Sequence, residues 1–178
     1  MSDQLDLLLE AGIVRRAHVA RTDGHSTLEL GDQTGLLDPA ATEPLAARVD
    51  GLLPRSVAGL AIGGGPADLL IGYLLGRGRG VPVASVTNVD GKVEVGGRLP
   101  SQGEVWLVVT LLDEPATIAE FDAACRRSGA APGGVVALVD RLSNADSRVR
   151  QLARWADHVY EPAACPVCGG DGGSDQAG

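Results

Sequence analysis

A single lysine, Lys92, stands among fifteen basic residues, and aromatic side chains make up only 3% of the chain. With a net charge of −8 and no stretch that concentrates positive charge, nothing here tracks a nucleic-acid backbone. Trp106, Trp155, Tyr73, Tyr160 and Phe121 are the whole aromatic inventory, so the core must be built from Leu, Val, Ala and Ile, and stacking platforms for bases are scarce. No uninterrupted apolar run reaches about 18 residues, which gives no membrane-spanning helix. Residues 1–9, MSDQLDLLL, are acidic where a secretory leader is basic, and a cytoplasmic protein is expected. Neither the GxGxxG of dinucleotide folds nor the GxxxxGK[ST] of P-loop proteins occurs at a strand-to-helix turn.

What is present is an alternation of short apolar strands with helices. Leu5, Leu7, Leu8 and Leu9 before Gly12 predict a short amphipathic helix over 4–10. A hairpin follows around Thr22-Asp23-Gly24, with arms at 18–21 and 26–30. Asp38-Pro39 supplies an N-cap and a first-turn proline for a helix running towards Leu53. Strands are expected at 57–62, 81–86, 106–112 and 134–139, and helices at 66–75, 115–127 and 145–155, with Ile118, Phe121, Ala124 and Cys125 on the buried face of the second of these. This order predicts an α/β fold with a doubly wound, mainly parallel sheet covered on both faces. Residues 1–168 are expected to form one domain, and 169–178, GGDGGSDQAG, a disordered Gly-rich tail.

In such sheets ligands sit beyond the carboxyl ends of the strands. Two loops qualify. Ile62-Gly63-Gly64-Gly65 leaves a strand and enters a helix, and three glycines permit positive φ and close approach of an anion, although a tight turn explains them equally well. The stretch from Thr110 through Asp113, Glu114, Pro115 and Ala116 to Thr117 follows the most apolar strand and leads into the next helix.

Seven strings in order resemble the orotate phosphoribosyltransferase family: Leu7 to Gly12, Arg21-Thr22 and His25-Ser26, Ala61 to Gly64, Gly103 to Val109, Val139-Asp140-Arg141, and Glu161 to Cys168, the last being similar to a C-terminal Cys-Pro-x-Cys of one bacterial branch. The resemblance implies a type I phosphoribosyltransferase fold with a small hood, a homodimer, a place in pyrimidine or nucleotide metabolism, and transfer from phosphoribosyl pyrophosphate to orotate with Mg2+. It also implies phosphate contacts by Arg21 and the glycine loop, with a matched histidine at His25.

Against that pattern, the family's adjacent ribose-binding acids fall here on Thr110 and Leu111, and its Thr-Thr-Gly-type phosphate turn on Asp113-Glu114-Pro115-Ala116. Leucine accepts no hydrogen bond from a ribose hydroxyl, and Pro115 lacks a backbone donor. Two carboxylates stand where a phosphate would sit. Asp113 serves either as a helix N-cap or, with Glu114, as a displaced holder of ribose hydroxyls or Mg2+. Lys92 is the one lysine available to neutralise departing pyrophosphate, or a surface charge. The expected protein is therefore a repurposed relative or pseudoenzyme that binds a nucleotide-like or other anionic small molecule. The alternatives are an active orotate phosphoribosyltransferase with a remodelled loop and a non-catalytic dimer partner of an active paralogue.

Cys165 and Cys168 form a CxxC, while Cys125 is expected inside a buried helix face. A structural zinc takes four ligands, so this pair would need His158 and one more, or a second CxxC across a dimer. Turn formation without a metal is the other reading.

Overall fold

In the computed structural model, which describes residues 3–21, 24–90, 92–142 and 146–168, the apolar run at 105–109 lies at the centre of the larger sheet. Among the described residues, four α-helices and nine strands form the framework. They are α1 (Asp3–Glu10), β1 (Val14–Arg21), β2 (Gly24–Leu30), α2 (Pro39–Leu52), β3 (Val57–Ile62), α3 (Pro66–Arg79), β4 (Val83–Val89), β5 (Lys92–Gly96), β6 (Glu104–Leu112), α4 (Pro115–Ser128), β7 (Ala131–Asp140), β8 (Val149–Arg154) and β9 (Val159–Tyr160). The larger sheet runs β5-β4-β3-β6-β7-β8, parallel throughout except for β5, and a smaller sheet runs β1-β2-β9.

Period-two alternation along β6 divides the core. Trp106 and Val108 join Leu8, Leu45, Val49 and Ile71 on the face covered by α1, α2 and α3. Val105, Leu107 and Val109 face Phe121, Ala124 and Cys125 of α4. Both faces are covered, which is why the strand is apolar throughout rather than alternating. Asp38 caps α2 as expected, its Oδ1 accepting the Ala40 N–H at 2.9 Å. The buried Cys125 thiol is pushed up to about 11 by burial and by the nearby Asp122 carboxylate, so it is an inert core group.

Three elements depart from the sequence expectation. α3 continues past Leu75 to Arg79 because Gly76 faces the sheet, where a Cβ would stand 2.2 Å from Val83 Cγ2. Its end is held by Arg79, which donates to Asp50 Oδ1 at 2.5 Å and to the Pro54 carbonyl at 2.7 Å. β5 is an addition, folding back antiparallel on β4 through Asp90, whose φ is 52°. The helix expected over 145–155 is replaced by β8, pairing Val135↔Val149 through Asp140↔Arg154. Arg, Gln, Leu and Ala are good helix formers, but propensity is worth only tenths of a kcal/mol per residue, and the full ladder at the open edge of β7 outweighs it. The expected tail, 169–178, and the hairpin apex, 22–23, lie outside the described residues.

Phe121→Ala empties the centre of the α4 interface and is expected to cost about 3–5 kcal/mol, whereas loss of the α2 cap in Asp38→Ala should cost about 1 kcal/mol. Urea unfolding followed by circular dichroism measures both; equal midpoints for the two variants would contradict the assigned packing.

Candidate functional site

The sheet order reverses between β3 and β6. From β3 the chain crosses by α3 to β4 on one side, and from β6 it crosses by α4 to β7 on the other. The turns that leave these two adjacent strands flank the switch point at the carboxyl edge, the crevice position at which open parallel sheets bind ligands.

β3 ends at Ile62, opposite Val108, while β6 continues to Leu112. Beyond that last pair the Thr110 N–H has no strand to meet on the β3 side. Asp68, in the first turn of α3, fills the gap: its Oδ1 accepts the Thr110 N–H at 2.6 Å and the Thr110 hydroxyl at 2.7 Å. Thr110 is buried by this contact. The same carboxylate lies against the glycine turn, with Asp68 Oδ2 only 2.3 Å from where a Cβ on Gly63 would be. Gly64 accommodates Thr87 of β4, whose Cγ2 would be 2.5 Å from an added Cβ. None of Gly63, Gly64 and Gly65 has a positive φ. The glycines thus serve close approach by Asp68 and Thr87, and the expected positive-φ cradle is not formed.

On the other side of the crevice, Asp113 and Glu114 are exposed and lead into α4. The N-cap position belongs to Glu114, not to Asp113 as the sequence suggests, because Pro115 opens the helix; the Glu114 carbonyl accepts the Thr117 N–H at 3.1 Å and its side chain makes no cap. Ala116 is exposed and Thr117 half-buried in that first turn. Asp140 closes β7 opposite Leu112, buried, with Oδ1 accepting the Leu142 N–H at 2.9 Å. Asp68, Asp113, Glu114 and Asp140 together give the carboxyl edge an acidic lining. Arg141, the basic residue next to them, is turned onto the Trp155 ring at 5.1 Å.

A cleft of about 360 Å³ adjoins the start of α4, lined by Pro115, Ile118, Leu142 and Arg148 among others. Arg148 is committed there to Asp122 at 3.1 Å and Asp146 at 3.1 Å. The Asp146 carboxyl is held below its ordinary range by the Arg148 backbone N–H first and its guanidinium second.

Ile62, Gly63, Gly64 and Gly65 lie at the end of β3 and in the turn after it, and Thr110, Asp113, Glu114, Ala116 and Thr117 run from the end of β6 into the start of α4. Lys92 is at the start of β5, exposed and paired with Val89 at the tip of the β4–β5 ribbon. Arg21 ends β1 opposite Gly24, and its side chain lies outside the described residues. Cys165 and Cys168 stand elsewhere, in the turn after β9, where the nearby ligand-type side chains are His18 and His25 rather than His158. Sequence reading overlooks Asp68, whose one signal is an acid in the first turn after three glycines and a proline.

No protein-family model matches the sequence, and no curated protein matches it. Solved structures do match. The orotate phosphoribosyltransferase of Aeropyrum pernix superposes with a TM-score of 0.67 at 19% identity, covering 85% of this chain and 93% of that one. Adenine phosphoribosyltransferase from Leishmania tarentolae gives 0.64 at 13% identity, over 93% and 92% of the two chains. The orotate phosphoribosyltransferase of Francisella tularensis gives 0.60 at 14%, over 86% of each. These likenesses cover most of each chain, and the protein has the type I phosphoribosyltransferase fold with a mainly parallel central sheet.

Proposed function

We propose that this protein is a repurposed member of its fold that does not transfer phosphoribosyl groups, and that its crevice takes a small, hydroxyl-bearing, nucleoside-like ligand instead of phosphoribosyl pyrophosphate. The observation that carries this reading is the Asp68 carboxylate lying over Gly63. A pyrophosphate brought to that turn would meet a fixed negative charge at close range, a repulsion of about 1–4 kcal/mol for unit charges about 4 Å apart between bulk water and a protein surface. The opposite turn adds Asp113 and Glu114, and Pro115 removes an N–H that a phosphate would use. Carboxylates and a threonine suit sugar hydroxyls, which donate hydrogen bonds, better than phosphate oxygens, which only accept them. An anionic ligand, the expectation from the glycine turn alone, is opposed by the same charge.

A second reading keeps the transferase. Leu111 offers no acceptor, but Asp68 returns a carboxylate to Thr110 from another element. Asp113 and Glu114 are oxygen donors of the kind Mg2+ takes and would hold it there in that case. Self-association belongs to either reading: Leu69 and Tyr73 are 52% and 60% exposed on α3, an apolar face that a second copy would cover.

Calorimetry with phosphoribosyl pyrophosphate and Mg2+, run beside an orotate-consumption assay, is expected to show neither saturable binding nor turnover. Turnover that Asp113→Ala/Glu114→Ala abolishes would establish the second reading.

Asp68→Asn keeps an acceptor for Thr110 and removes the charge. It is expected to raise affinity for inorganic pyrophosphate by about tenfold or more, measured by competition at constant ionic strength; unchanged affinity would remove Asp68 from the argument.

A further inference from the structure

Far from the crevice in sequence, two ends of the chain meet. β2 pairs with β9 through His25↔Tyr160 and Ser26↔Val159, which carries the segment after β9 alongside the β1–β2 hairpin. A short 3-10 turn, Pro162–Ala164, then delivers Cys165 and Cys168. On the hairpin, His25 stands opposite Ala20, and His18 is two residues back along β1, so the two imidazoles come to the same place diagonally across the strands. Their ring centroids are 5.0 Å apart at 75°.

The four side chains present one ligand atom each, all within 4.8 Å of one another. His18 Nε2 lies 3.2 Å from His25 Nδ1, and Cys168 Sγ lies 3.1 Å from His25 Nδ1 and 3.2 Å from His18 Nε2. Two nitrogens and two sulfurs around one Zn2+ would be separated by about 3.3–3.8 Å, given Zn–N and Zn–S bonds of about 2.0 and 2.3 Å in a tetrahedron. The three separations among His18, His25 and Cys168 are within about half an ångström of that arrangement, and Cys165 Sγ lies within 4.8 Å of each of them.

We propose that His18, His25, Cys165 and Cys168 bind a structural zinc ion that fastens the C-terminal turn to the N-terminal hairpin. Two thiolates and two neutral imidazoles leave the site uncharged with Zn2+, which suits the full burial of Cys165. Four protein ligands complete the tetrahedron, so no position remains for a water or a substrate and the ion has no catalytic part. Binding displaces the two thiol protons to solvent and involves no change of oxidation state. The spacing explains why sequence alone stops at two ligands: CxxC marks one half, but His-x6-His on a hairpin is a common pattern, and only the β2–β9 pairing joins them.

The test is made on the full chain purified under reducing conditions without chelator. Plasma mass spectrometry is expected to find about one zinc per chain. Cobalt substituted for zinc should show the intense visible bands of a tetrahedral centre and sulfur-to-cobalt charge transfer in the near ultraviolet. Cys168→Ser and His18→Ala should each lower zinc retention by about tenfold or more, while Cys125→Ala and His158→Ala retain it in full. If the wild-type chain carries no zinc and gives no tetrahedral cobalt spectrum, or if His18→Ala holds the metal as tightly as wild type, the proposal is wrong. A Cys165–Cys168 disulfide that forms in preference to metal binding would overturn it as well. The cobalt spectrum of the wild-type chain does not depend on whether any variant folds.

Discussion

β6 outruns β3, and the crevice is organised around that overhang. The last pair between them is Ile62↔Val108, yet β6 goes on to Leu112. A buried N–H at Thr110 is left facing the gap, and an unpaired buried donor costs about 1–3 kcal/mol. Asp68 answers it with one oxygen that takes both the amide and the hydroxyl of Thr110. For that oxygen to arrive, the first turn of α3 must come close to the end of β6, and Gly63 must carry no side chain. The start of α3, the course of the glycine turn and the charge of the crevice all follow from one hydrogen-bonding requirement in the central strand.

Helix N-termini attract negative charge, and this fold places two of them, those of α3 and α4, at the mouth of the crevice. Whether such an end binds a phosphate depends on whether the chain has already satisfied it. Asp68 sits in the first turn of α3, and Glu114 stands at the cap position of α4 with Pro115 behind it. Neither helix has a side-chain cap hydrogen bond, so these carboxylates act through charge, standing in the field that a ligand would otherwise meet. On the proposed reading, that charge would make the crevice a poor host for pyrophosphate and a better one for groups that donate hydrogen bonds.

The layers were legible because they depend on local pattern. Ile118, Phe121, Ala124 and Cys125 point to one face of α4 by spacing alone, and Asp38-Pro39 announces its helix. β8 was not legible, since RQLAR has no strand pattern and becomes one only because β7 has a free edge. In the crevice, the positions of the two turns could be read from strand ends, but the meaning of the glycines could not. Sequence shows that three residues lack a Cβ; it does not show that the vacated space is filled by Asp68 and Thr87 from other elements. The cysteine pair failed for a related reason, because its partners are 140 or more residues away, as the separations of 143 and 150 for the Cys168 contacts show.

Among the described residues, the smaller sheet β1-β2-β9 adds only Val14, Leu28 and Val159 to the apolar core. β9 is two residues long and pairs with β2 at two positions, and a sheet of three short strands needs a substantial apolar face or a cross-link to stand. Its buried side of β2 offers little beyond Leu28 and Ser26. The proposed metal joining residues 18 and 25 to 165 and 168 would close a long loop and fix β9, which pairs with the hairpin. The larger sheet, by contrast, has both faces covered without any of those residues. With that zinc, stability of the smaller sheet and chemistry of the crevice would rest on different groups, so the crevice could change its charge at Asp68 and Glu114 while the smaller sheet kept its own fastening.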